Sequence, residues 1–96
     1  MAAHVVLYTT DYCPYCFRAK RLLDGKGIAY EEIDVSDRPE LRRWLVEASR
    51  QRTVPQIFVN GRSIGGFDEL AALQRRGLLD ALLAQEPASG AAALPR

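Results

Sequence analysis

The chain has two cysteines, Cys13 and Cys16, separated only by Pro14 and Tyr15. Thiols at that spacing could ligate a metal, staple the chain, or exchange with other disulfides. A staple is a poor use of them, because so small a loop removes little entropy from the unfolded state. Structural zinc wants four ligands, usually two such pairs, whereas this chain offers one pair and a single histidine, His4. That histidine reads as the polar end of a strand. A cluster bridging two subunits is a further possibility for two thiolates, although Pro14 stiffens the turn against the opening it needs. Cys-x-x-Cys beside a β–α–β pattern in an intracellular protein reads as a redox motif.

The local geometry favours exchange. Proline suits the first turn of a helix, where its missing N–H is not needed. With Pro14 opening a helix, Cys13 falls at the N-cap or just before it, and Cys16 lies about one turn on. Unpaired backbone N–H groups and the helix dipole then converge on the Cys13 sulfur. They favour thiolate over thiol, so the spacing predicts a lowered Cys13 pKa. Cys16 is expected to be less exposed and to stay a thiol until needed. A free thiol of pKa ~8.5 is only about 3% thiolate at pH 7. Lowering the pKa raises that fraction but weakens each thiolate as a nucleophile. The gain lies in leaving ability, which suits a catalyst recharged by an outside thiol.

The elements that must position this pair follow from the pattern around it. "HVVLY" (4–8) is a short β-branched and aromatic run, read as a buried strand. Cys16, Ala19, Leu22 and Leu23 recur at helical spacing, and "DGKG" ends that helix. "IAYEEIDV" (28–35) reads as a second strand, and "SDRPE" starts a second helix with Leu41, Leu45 and Ala48 on its inner face. "QIFVNGRSIGG" is a hairpin signal, with Asn60-Gly61 suited to the positive φ of a tight turn. Leu70, Ala71 and Leu73 predict a short helix, Gly77 breaks it, and "LLDALLAQ" makes a last one. The β–α–β unit requires a right-handed crossover and parallel first strands. The expected fold class is α/β, a mixed four-stranded sheet flanked by helices on both faces. Residues 1–85 form the single domain. Residues 86–96, "EPASGAAALPR", have no apolar period and are expected to be a disordered tail.

Composition narrows the function classes. The chain has 96 residues, 48% hydrophobic and 26% charged, which suits one small globular domain. Its net charge of +1 gives no electrostatic reason to expect nucleic acid. No stretch reaches the ~18 apolar residues of a membrane helix, and "MAAHVVLYTTDY" lacks the basic start and long apolar run of a signal peptide. A reducing, cytoplasmic setting is expected, with redox-active rather than structural thiols.

"CPYC", followed by "TVPQIFVNG" and "GGFDEL", resembles the glutaredoxins, most closely the small bacterial dithiol type. The resemblance runs from about Val5 to Leu83. It implies a thioredoxin-like fold and reduction of protein disulfides and glutathione mixed disulfides, with glutathione as co-substrate and no metal. It also implies that Cys13 is the nucleophile and Cys16 the resolving cysteine. Thr53, Val54 and Pro55 match a loop whose proline is cis in the family, and Val54 is positioned to pair with a substrate backbone like an added strand. Phe67 and Asp68 match the clamp on the γ-glutamyl end, which fits a carboxylate at a helix N-terminus. Tyr15 resembles the ring flanking the tripeptide. By spacing, Arg42 falls near the glycine carboxylate, with Gln51 a weaker candidate for the same end. One departure concerns the lysine many relatives carry three residues before the first cysteine: here it is Thr10, followed by Asp11. A less depressed Cys13 pKa than in lysine-bearing relatives is therefore expected.

Two other functions fit the same residues. One is a redoxin reduced by a flavin-dependent thioredoxin reductase. The other is a glutathione-ligated iron–sulfur cluster carrier. The expected partners are glutathione and disulfide-bearing proteins, with no nucleic acid and no membrane, and the expected state is a monomer.

Overall fold

A computed structural model describes residues 3–87 and 94–96. The elements run β1 (Val5–Thr9), α1 (Pro14–Gly25), β2 (Glu31–Asp34), α2 (Pro39–Ser49), β3 (Gln56–Val59), β4 (Arg62–Gly65), α3 (Phe67–Arg75) and α4 (Leu79–Ala84). The strands form one sheet in the order β2-β1-β3-β4. β1 pairs parallel with β2 and antiparallel with β3, and β3 pairs antiparallel with β4. This is the mixed four-stranded sheet expected from the element order.

Alternation along β1 sorts the core into two halves, because successive side chains point to opposite faces. Val5 and Leu7 join Ile57 and Val59 against Ala19 and Leu23 of α1, Leu70 of α3, and Leu79 and Leu83 of α4. Val6 and Tyr8 join Ile33, Val35 and Phe58 against Leu41 and Leu45 of α2. Helices thus cover both faces. Every residue of β1 is buried, as a central strand requires.

Turn chemistry sets the connections. Asn60 and Gly61 both take positive φ, 52° and 82°, as a two-residue hairpin turn needs. The Asn60 side chain also accepts from His4 N–H (2.8 Å) and donates to Gln85 O (3.0 Å), tying the hairpin to both ends of the domain. β2 is shorter than the run 28–35 suggests. Ile28 N–H bonds back to Leu23 O (3.0 Å) to close α1, so Ile28 and Tyr30 pack on the core before pairing begins.

The expectation for residues 86–96 needs correcting. Residues 88–93 of that stretch lie outside the described residues. Leu94, Pro95 and Arg96 are seated on the α2 face of the sheet, with Leu94 buried among Tyr8, Phe58 and Leu45. A single leucine with no periodic neighbours gives no sequence signal; its partners are about 35 to 90 residues away. Among the described residues, no helix is long and apolar enough to cross a membrane.

Candidate active site

The first turn of α1 is built around the two sulfurs. Cys13 is the N-cap, with extended backbone (φ −146°, ψ 104°), and Pro14 opens the helix. Cys13 Sγ accepts the Cys16 N–H at 3.1 Å, so a thiol sulfur stands where a cap oxygen commonly does. Cys13 is partly exposed and Cys16 is buried. The two are joined as a disulfide, with Cα atoms 5.2 Å apart.

The loop entering β3 lies against this turn. The Val54–Pro55 bond is cis, and Val54 O is 3.6 Å from Cys13 Sγ. No backbone hydrogen bond among the described residues takes up the Val54 N–H. The N–H groups of Phe67 and Asp68 at the start of α3 are free in the same sense, as the first turn of any helix leaves them. The three residues that carry these unspent donors all line one hollow.

That hollow is a cavity of ≈ 540 Å³, walled by Gln51 through Pro55 on one side, by Gly66 through Glu69 on another, and by Tyr15. Tyr15 faces Phe67 across it, with ring centroids 6.1 Å apart. The Arg18 guanidinium lies 5.3 Å over the Tyr15 ring, which anchors that ring from behind.

Buried side chains hold both walls in place. Gln56 is fully buried and donates from Nε2 to Gln51 Oε1 (2.8 Å) and to Thr53 O (3.0 Å). Ser49 Oγ accepts from Gln51 N–H at 3.1 Å and donates to Leu45 O at 2.7 Å. On the opposite wall, Glu69 reaches back from the third position of α3 to accept the Gly66 N–H at 2.6 Å, the reverse half of a capping box. Gly65 has φ +104°, and a Cβ there would lie 2.6 Å from Glu69 Oε1. Glycine is required at that position both by the left-handed backbone and by the close approach.

The site residues expected from the sequence fall as follows. Tyr15, Thr53, Val54, Pro55, Phe67 and Asp68 all line the cavity, beside Cys13. Arg42 does not line it. It lies on α2, and the basic residue at the cavity wall is Arg52, beside Gln51. Spacing placed a cation at this end of the site; which arginine supplies it depends on how α2 packs on the sheet. Arg52, Gln56 and Glu69 were not singled out from the sequence. Glu69 had a legible signal, an acid three residues after the helix-capping position. Lys20 on α1 is paired with Glu32 at 3.0 Å. Asp11 is held by Ser36, whose Oγ accepts its N–H and donates to its carboxylate.

A four-stranded mixed sheet, a Cys-x-x-Cys helix start and an adjacent cis-proline loop define a thioredoxin-like protein with a redox-active dithiol. The glutaredoxin family model matches residues 5–64, and the chain belongs to the glutaredoxin family. A glutaredoxin of Pseudomonas aeruginosa is 52% identical over 79 residues, 82% of this chain and 94% of that one. Glutaredoxin 3 of Escherichia coli K12 is 46% identical over 81 residues, 84% and 98% of the respective chains. Among solved structures, a buckwheat glutaredoxin–glutathione complex superposes with TM-score 0.80 at 33% identity, covering 84% of this chain and 76% of that one. A Brucella melitensis glutaredoxin gives 0.78 at 49% identity, covering 85% and 89%.

Proposed function

We propose that the protein is a glutathione-dependent oxidoreductase that reduces glutathione mixed disulfides and protein disulfides. What carries the reading is the position of Cys13 Sγ, 3.6 Å from the carbonyl of Val54, a residue with an unspent N–H that lines a peptide-sized cavity.

Glutathione is the co-substrate. Its cysteinyl backbone pairs with Val54 as an added strand, which brings its sulfur beside Cys13. Its γ-glutamyl carboxylate meets the free N–H groups of Phe67 and Asp68, and its ammonium meets the Asp68 carboxylate. Arg52 and Gln51 face the glycyl carboxylate, in place of Arg42.

The chemistry is thiolate exchange. Cys13 thiolate attacks the glutathionyl sulfur of a mixed disulfide; the S–S bond breaks and the target thiolate leaves and takes a proton from water. A second glutathione thiolate then attacks the glutathionyl sulfur on Cys13. Glutathione disulfide leaves and the Cys13 thiolate is restored. With a protein disulfide, Cys13 attacks one sulfur. Cys16 then loses its proton and attacks Cys13 Sγ, which frees the reduced partner and leaves the Cys13–Cys16 disulfide. Two glutathiones reduce that disulfide back. The N–H of Cys16, aimed at Cys13 Sγ, stabilises the sulfur whenever it carries charge. A dithiol recharged by glutathione belongs in a reducing compartment, and the cytoplasm is the setting we propose.

The test is steady-state turnover of a small glutathione mixed disulfide, coupled to glutathione reductase and NADPH. Activity lost in Cys13→Ser and kept in Cys16→Ser supports the reading. An inactive wild type whose disulfide is instead reduced by thioredoxin reductase would sink it.

A further inference from the structure

The segment Leu94–Arg96 is held like a bound peptide. Leu94 is 8% exposed and enters the apolar cluster of Tyr8, Phe58, Leu41 and Leu45. The Pro95 carbonyl accepts from Tyr8 Oη at 2.7 Å. Arg96 places Nε and Nη2 on the two oxygens of Glu31, each at 2.6 Å, and its Nη1 on Leu94 O at 2.7 Å. Arg38 Nη2 donates to Arg96 O at 2.6 Å. His4 Nε2 lies 3.7 Å from the same Glu31. Each of the three residues thus has its own partner: an apolar slot, a hydroxyl and a carboxylate.

These contacts read chemistry selectively. Proline in the middle has no N–H to leave unpaired, and it holds the preceding leucine in an extended form. The planar guanidinium grips both carboxylate oxygens at once, which a lysine cannot do. The seat is also separate from the dithiol cavity. Pro95 and Arg96 form one wall of a second hollow of ≈ 530 Å³, whose other wall is Asp37–Leu41 and Trp44, and the two hollows share no residue.

We propose that the α2 face of the sheet carries a peptide-binding seat for an extended apolar–Pro–Arg sequence, which the chain's own Leu94–Pro95–Arg96 occupies in cis. The residues that recognise it are Tyr8, Glu31 and Arg38 around the apolar slot. A short tether supplies its own peptide at an effective concentration of order millimolar, so an external peptide of the same kind enters only when the internal one is displaced.

Trp44 is the only tryptophan in the chain and sits beside this segment, so it reports on the seat. In the whole 96-residue chain, Leu94→Asp with Arg96→Glu empties the seat. Acrylamide quenching of Trp44 should increase in that variant. A synthetic acetyl-Ala-Ala-Leu-Pro-Arg peptide should then bind it saturably and reverse the increase, while wild type needs at least about tenfold more peptide because its seat is taken. Replacing the arginine of the peptide by lysine should weaken binding. Charge exchange guards against a folding artefact: Glu31→Arg alone should loosen Trp44, and Glu31→Arg with Arg96→Glu should restore it. Turnover of the dithiol site should not change in the emptied variant. Trp44 quenching and peptide titrations identical in wild type and emptied variant would overturn the proposal. So would sedimentation showing a wild-type dimer that the emptied variant abolishes, since the segment would then be filling the seat of a second copy.

Discussion

The two hollows have nearly the same volume, ≈ 540 and ≈ 530 Å³, but opposite hydrogen-bond states. Around the dithiol, the backbone N–H groups of Val54, Phe67 and Asp68 have no backbone partner among the described residues, while the side chains of Gln56 and Glu69 behind them are hydrogen-bonded to the walls. At the tail seat, Tyr8, Glu31 and Arg38 are all taken up by Pro95 and Arg96. The difference teaches how to separate a site kept for an outside ligand from one the chain uses itself. Unspent donors on a rigidly supported frame await a partner; spent ones have found theirs.

The largest expected effect tests the first side of that contrast. Cys13→Ser should abolish turnover of glutathione mixed disulfides. Cys16→Ser should retain it but lose the route through both sulfurs, measured with a protein disulfide as substrate.

Next come the supports behind the unspent donors. Gly65→Ala must hold a Cβ at φ +104° against Glu69, and should cost about 1–3 kcal/mol in thermal or urea unfolding. Gly25, with nothing within 4 Å of an added Cβ, is the control and should accept alanine without loss. Gln56→Leu removes both bonds to the 51–53 loop, at about 1 kcal/mol for each. It should raise KM for glutathione more than it lowers kcat, because in the proposed function the loop binds the tripeptide and does no chemistry. An unchanged KM would mean that Gln56 supports only the strand. Its Oε1 has no partner among the described residues, so the amide is held through its donor end alone.

The smallest effect lies at the tail seat. Burial pushes the Tyr8 phenol up to about 12, with Arg96 lowering it and Glu31 raising it to lesser extents. The folded pKa is above the unfolded value of about 10, so the neutral phenol is the form that folding favours. Its contribution is fully present below pH ~10 and is lost as pH rises through about 12. Tyr8→Phe should lower stability by about 1 kcal/mol at neutral pH and should flatten the alkaline part of the curve, followed by unfolding between pH 9 and 12. Glutathione turnover should stay the same. A fall in turnover would show that the two hollows are coupled.

Much of this was legible because it is local. Pro14 after Cys13 predicts a helix start, and the N-cap sulfur follows directly from it. Asn60-Gly61 predicts the hairpin, and the apolar run of β1 predicts a buried strand. The motif resemblance supplied Thr53–Pro55 and Phe67–Asp68, and these do line one cavity. Arg52 in place of Arg42 was not legible. On α2 the helical period alone does not say which side faces the sheet end, since arginines occupy 38, 42, 43 and 50 in and around it. Gln56 reads as an ordinary polar residue opening a strand; only its full burial reveals a strut.

The sequence by itself determined the dithiol turn, the hairpin and the succession of strands and helices along the chain, because each rests on contacts within a few residues or on a repeating period, while the cavity residues came through the motif resemblance. Only the tertiary structure decided which arginine reaches the cavity and where Leu94–Arg96 comes to rest. The contacts of the tail segment join residues about 35 to 90 positions apart, and nothing local distinguishes a lone apolar residue that finds an aromatic slot from one that stays in water.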